Sequence, residues 1–108
     1  MKLAFLRSTC GNERTCPNIN LSDRNTVVVQ GYVVNESAVE IPLALVPEIV
    51  AQQQLDPRLT LTEHDTVLVH GQPVTDLEAL QALDPPHGEA AVEVPLSTFP
   101  PEVLASAR

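Results

Sequence analysis

Aromatic residues are nearly missing from this chain of 108 residues: Phe5, Tyr32 and Phe99 are the whole set, and there is no Trp. Base-stacking platforms for single-stranded nucleic acid are therefore absent. Positive charge is also scarce, with six basic against fourteen acidic side chains and a net charge of −8. That balance repels phosphate backbones and anionic lipid surfaces, so direct binding to nucleic acid or membrane is disfavoured. The four glycines are scattered, which excludes a phosphate-cradling loop. Long apolar runs are lacking too. The run Leu3 to Leu6 is broken by Arg7, which is too short for a signal peptide, and Arg7 spoils Leu6-Arg7-Ser8-Thr9-Cys10 as a lipoprotein cleavage site. The expected location is the cytoplasm, where Cys10 and Cys16 stay reduced.

What the chain does have is 44% apolar residues, drawn from Val, Leu, Ile and Ala, enough for one core. The first sixteen residues carry Lys2, Arg7 and Arg14 against Glu13, so the acidity belongs to the remainder. That remainder contains a duplication. At an offset of forty, Leu21-Ser22-Asp23-Arg24-Asn25-Thr26-Val27-Val28-Val29-Gln30-Gly31 falls on Leu61-Thr62-Glu63-His64-Asp65-Thr66-Val67-Leu68-Val69-His70-Gly71. At an offset of fifty-three, Ala38-Val39-Glu40-Ile41-Pro42-Leu43 falls on Ala91-Val92-Glu93-Val94-Pro95-Leu96. Recurrence of the same residue types implies recurrence of the same backbone events, and two such units commonly pack as a pseudo-two-fold pair.

Within each unit a polar cluster precedes a β-branched run that ends at Gly31 or Gly71, which reads as turn, strand, then turn or bulge. Val33-Val34 reads as a short return strand. Val39-Glu40-Ile41 and Val92-Glu93-Val94 alternate as half-buried strands with Glu outward in solvent. Leu43, Leu45, Val46, Ile49 and Val50 then form a stripe at helical spacing, predicting a helix from about Pro47 to Leu55, with a shorter, frayed counterpart over Pro100 to Ala107. Thr75-Asp76-Leu77-Glu78 supplies a helix start for Leu77, Leu80 and Leu83, and Pro85-Pro86-His87-Gly88 stops it. The expected fold class is a small α+β domain of two strand-turn-strand-helix units, 20–55 and 60–108. Residues 1–19 are expected to be an irregular arm carrying the cysteine pair.

Chemistry-bearing candidates are few. Cys10 and Cys16, with five residues between them, can close a small disulfide ring or grip a soft metal such as zinc, although structural zinc sites space cysteines more tightly. His64 and His70 could complete a Cys2His2 set, but the other unit holds Arg24 and Gln30 at those places. No nucleophile, base and oxyanion donor assemble by role, so an enzyme is not expected.

From Thr9-Cys10 through Cys16-Pro17 and Asp23-Arg24-x-Thr26-x-Val28-Val29-Gln30-Gly31, the chain resembles small, uncharacterised, acidic actinobacterial proteins. The resemblance covers about the first third of the chain, brings no activity with it, and implies a place beside helix-turn-helix regulators. Val39-Glu40-Ile41-Pro42-Leu43 with a following strand is similar to swapped-hairpin transition-state-regulator antitoxins. Those domains bind DNA with basic loops; no basic residue lies between Arg24 and Arg58 here, so only architecture could carry over.

The functional expectation is a non-enzymatic interaction or regulatory module whose acidic body binds a basic protein, such as a DNA-binding regulator. Two alternatives stand beside it. One is a metal- or redox-responsive protein acting through Cys10 and Cys16. The other is a structural homo-oligomer whose valine runs offer a pairing edge.

Overall fold

In the computed structural model, which describes residues 1–10 and 16–105, the regular secondary structure is mostly antiparallel sheet. The strands are β1 (Leu3–Ser8), β2 (Asn18–Ser22), β3 (Thr26–Asn35), β4 (Ala38–Pro42), β5 (Leu59–Leu61), β6 (Thr66–His70), β7 (Gln72–Pro73) and β8 (Glu89–Pro95). Among the described residues α-helix is confined to α1 (Leu77–Leu83) and a four-residue α2 (Pro101–Leu104). The expected α+β class is thus corrected to a β fold: eight strands in one sheet with two short helices.

The helix expected over 47–55 is where that reading fails. Its apolar stripe is real, with Leu45, Val46 and Ile49 buried, but it is laid out as two 3-10 turns, Leu43–Leu45 and Pro47–Ala51. Pro42 and Pro47 lack the amide a helical ladder needs, and Val46 between the turns sits at φ −135°, ψ 56°, outside the helical region. Side chains at helical spacing here plug one end of the sheet. In the other unit Leu96–Thr98 does the same, followed by α2; the last two residues of the segment expected to run to Ala107 lie outside the described residues. The segment expected to be irregular also changes, since Leu3–Ser8 forms β1 against β2.

Gly31 does not end its strand. β3 runs straight through it to Asn35, so Val33-Val34 is a continuation and not a return strand. The glycine is needed for proximity: a Cβ there would lie 2.7 Å from the Glu40 carbonyl oxygen and 2.8 Å from Ile41 Cγ2. At Gly71 the corresponding distances are 2.6 Å to the Glu93 oxygen and 2.7 Å to Val94 Cγ1.

Pairing follows the duplication with no change of register. Val27 faces Val94 and Val29 faces Val92 across β3 and β8, while Val67 faces Ile41 and Val69 faces Val39 across β6 and β4. Likewise Leu21 and Ile19 of β2 face Val27 and Val29, as Leu61 and Leu59 of β5 face Val67 and Val69. Each central strand therefore pairs with the return strand of the other unit. Beyond its glycine it turns to its own: Tyr32 faces Glu40, and Gln72 faces Glu93. Because β7 continues β6 through Gly71, the strands β3, β4, β6–β7 and β8 close a ring. Its inward residues, Val27, Val29, Val39, Ile41, Val67, Val69, Val92 and Val94, form the core with Ile19, Leu45, Val46, Ile49, Phe99 and Val103.

Candidate interaction face

Alternation along each strand turns every second side chain away from that core, giving the ring two related outer faces. They are treated differently. On the β2–β3–β8 face, Val28 and Ala91 are buried beneath Val74, Ala79 and Leu83, with Met1, Leu3 and Leu80 packed around them. The cover comes from β1 and α1, and α1 is present because the second unit carries an insertion that the first lacks. Asp76 caps α1 by accepting from the Ala79 amide at 2.9 Å, one residue after the Thr75 start expected from the sequence. Glu78 is turned instead to Lys2 (2.9 Å) and to the Met1 amine (3.0 Å), while Arg24 reaches Asp76 (3.3 Å).

These contacts set the local protonation. Hydrogen bonds to Glu78 and then Asp76 raise the Met1 amine above its ordinary value, and the Glu78 bond raises Lys2. In return Asp76 is lowered, chiefly by the Ala79 amide and then the Met1 amine, and Glu78 is lowered by Lys2 and the same amine.

The β4–β6–β5 face has the same register but is more open among the described residues, although its Ala38 is fully buried. Leu68 stands where Val28 stands, Ala38 where Ala91 stands, His70 where Gln30 stands. Val28 is fully buried, whereas Leu68 is half-buried; Val74 is 9% exposed, whereas its counterpart Val34 is 45% exposed. Tyr32, Glu40, Leu68 and Thr60 follow one another across the strands as a single outward row, and Tyr32 is 49% exposed. Charge differs as well. The turn Asp23-Arg24-Asn25 at the end of the covered face becomes Glu63-His64-Asp65 at the end of the bare one, exchanging a cation for a histidine and an amide for a carboxylate. Asn25 (φ 61°) and Asp65 (φ 59°) take the same left-handed backbone, so the change of charge occurs on an unchanged turn. Glu36 lies in the β3–β4 turn at the opposite end of the face.

Glu40 and Glu93, expected as solvated strand residues, are each half-buried and paired across the units. Thr66 Oγ1 donates to Glu40 Oε2 and Thr26 Oγ1 to Glu93 Oε2, both at 2.5 Å. Ser22 and Thr62 hold those threonine hydroxyls in turn. The recurrence of Thr and Glu at matching positions of both units was a signal for this pairing.

Cys10 and Cys16 are joined by a disulfide, with Cα atoms 6.0 Å apart; the intervening 11–15 lie outside the described residues. Metal ligation would require this bond to be reduced and further ligands recruited. His64 belongs to the β5–β6 turn and His70 to the end of β6, and among the described residues no three of His, Cys, Asp and Glu converge. A separate cleft of about 480 Å³ lies between the 52–59 connection and the Ser97–Pro101 segment. Among the described residues the buried Thr98 hydroxyl at its edge has no partner, and the one carboxylate lining it, Asp56, is bonded to Arg58. No helix among the described residues is long and apolar enough to cross a membrane.

Together these features define a class: a duplicated antiparallel sheet closed on itself, one outer face sheathed and its counterpart bare and acid-flanked. No protein-family model, curated protein or solved structure matches the chain.

Proposed function

We propose that the protein is a non-enzymatic, regulatory interaction module of the cytoplasm that binds a basic protein partner on the bare β4–β6–β5 face. The observation that carries this reading is the unequal cover of two faces with identical register. An outer face of half-buried Leu68 and exposed Tyr32 and Val34, flanked by Glu36, Glu63 and Asp65, supplies an apolar centre with a charged rim, as protein interfaces do. A DNA-binding regulator fits the required charge, and long-range attraction would speed its association.

The test is capture of a regulator from host lysate at low and high salt, by the wild-type chain and by the neutralised variant Glu36→Gln/Glu63→Gln/Asp65→Asn. Asparagine suits position 65 because Asn25 holds the same backbone. Retention of a basic protein at low salt, lost at high salt and lost in the variant, is expected. Equal retention at both salts would remove the electrostatic reading.

A second reading rests on the Cys10–Cys16 bond. In a reducing cytoplasm this pair would be closed only under oxidation, making the β1–β2 connection redox-responsive. Thiol counting on protein purified with and without reductant distinguishes the two: two free thiols under aerobic conditions would dispose of it.

A further inference from the structure

We infer that the partner, if the interaction reading above holds, presents a short amphipathic helix with basic flanks, seated on β4–β6 where α1 sits on the opposite face. The covered face serves as the template. α1 approaches through Ala79, Leu80 and Leu83, and Val74 closes the side of its seat over Val28 and Ala91. Each part of that seat has its counterpart by register: Ala38, itself fully buried, stands for Ala91, while half-buried Leu68 stands for Val28 and exposed Val34 for Val74. Since Leu is longer than Val, the occupant's residue over Leu68 has to be small, no larger than the alanine at position 79.

Polarity fixes the occupant's charge. On the covered face the sheet side supplies cations, Arg24 and the Met1 amine, while the helix supplies Asp76 and Glu78. On the bare face the balance shifts toward acid at the corresponding turn, where His64 replaces Arg24 and Asp65 replaces Asn25, while Glu63 and Glu40 keep the charge of Asp23 and Glu93; Arg58, beside His70, is a cation on this side. A helix docked there in the orientation of α1 points its N-terminal amides, the positive end of its dipole, at those carboxylates. Lysine or arginine along its flanks completes the match. A second copy of this chain is a poor occupant: apposing two such faces sets their carboxylates against each other, and each α1 is already seated on its own sheet.

The full chain, labelled with 15N, is titrated with three synthetic peptides. The first is a helix-forming peptide with the Ala79, Leu80, Leu83 spacing on a Lys/Arg background. The second is the same peptide with a central proline, and the third has Glu in place of the basic residues. The basic helix is expected to bind at least tenfold more tightly than the proline peptide, shifting the amides of Val34, Leu68 and His70, with Leu68→Asn or Val34→Ser weakening it at least fivefold. Both positions are outward-facing, and two variants guard against loss of fold in one.

Equal binding of the helical and proline peptides overturns the helix and leaves the basic-partner reading standing. Preference for the acidic peptide overturns both. Shifts that map away from β4 and β6, or no binding by any peptide, overturn the seat, while lysate capture judges the wider reading on its own. Concentration-dependent dimerisation abolished by Leu68→Asn would assign the face to a second copy and overturn the proposal.

Discussion

Replacing either cross-over glycine with alanine puts the closure of the ring under direct test. A Cβ at Gly31 meets the Glu40 carbonyl oxygen at 2.7 Å, and at Gly71 the Glu93 oxygen at 2.6 Å. Weak carbon-to-oxygen contacts between strands settle at about 3.3–3.6 Å, so the strands would have to part by about 0.6 Å or more. The obstacle is backbone on one side and a packed methyl on the other, and overpacking of this kind costs about 1–3 kcal/mol. With a urea slope of about 1–3 kcal/mol/M, the unfolding midpoint of Gly31→Ala should fall by about 1 M. Gly71→Ala should fall similarly. The two glycines press on different strands, so the double variant should lose the sum to within about 0.5 kcal/mol. Gly88→Ala is the control, because nothing lies within 4 Å of its added carbon and its cost arises from φ 89° alone. If the glycines were merely flexible strand residues, alanine would stabilise by about 0.4–1 kcal/mol through the unfolded chain. Midpoints for Gly31→Ala and Gly71→Ala that are unchanged or raised would refute the close approach, and with it the closed ring.

Three further outcomes are expected. Thr66→Val removes the hydroxyl that serves Glu40 and should destabilise by about 1–2 kcal/mol, as a hydrogen bond to a charged group does; Thr26→Val should match it by symmetry, and urea unfolding of both reads the result. Arg7 donates to Glu48 through both terminal guanidinium nitrogens and also to the Leu45 carbonyl, and its bonds to Glu48 chiefly hold that carboxyl below its ordinary value. A depressed folded-state value means stability that is present above the unfolded carboxylate's value and is lost as pH falls through the folded one. Unfolding followed from neutral to acid pH should therefore show that loss in the wild type and a smaller one in Arg7→Ala. Reduction of Cys10–Cys16 releases a small ring, and the chain-entropy argument gives about 2 kcal/mol, read as a drop in the urea midpoint with added thiol.

The duplication was plain in the residues, because Thr26-Val27-x-Val29-x-Gly31 and Val39-Glu40-Ile41-Pro42 each recur at one offset. The central strands at Thr26 and Thr66 and the outward Glu40 and Glu93 followed from it, and α1 was legible separately in the insertion, but β1, β2 and β5 were not. Other features were hidden. Whether Leu43 to Val50 coils as α-helix or as two 3-10 turns depends on the amides missing at Pro42 and Pro47 and on the hole to be plugged, which spacing alone does not report. The role of Gly31 was misread because a glycine that ends a strand and one that lets another strand cross look alike until the neighbour is known. The bare face was illegible for a related reason: Leu68 and Val28 are equivalent in sequence and differ only in what a distant insertion lays over one of them.

The exchange of strands between the units has a consequence for the molecule as a whole. Val27 finds its partner sixty-odd residues away in Val94, and Ile41 closes on Val67, so neither half possesses a complete wall of its own. The connection at 52–58 is a covalent convenience between two interlocked pieces. Cut there, the fragments should remain unstructured apart and become ordered together, each furnishing the strand the other lacks. Folding must likewise wait for both halves to be present, which places the chain among slow, topology-limited folders, however strong its local strand preferences.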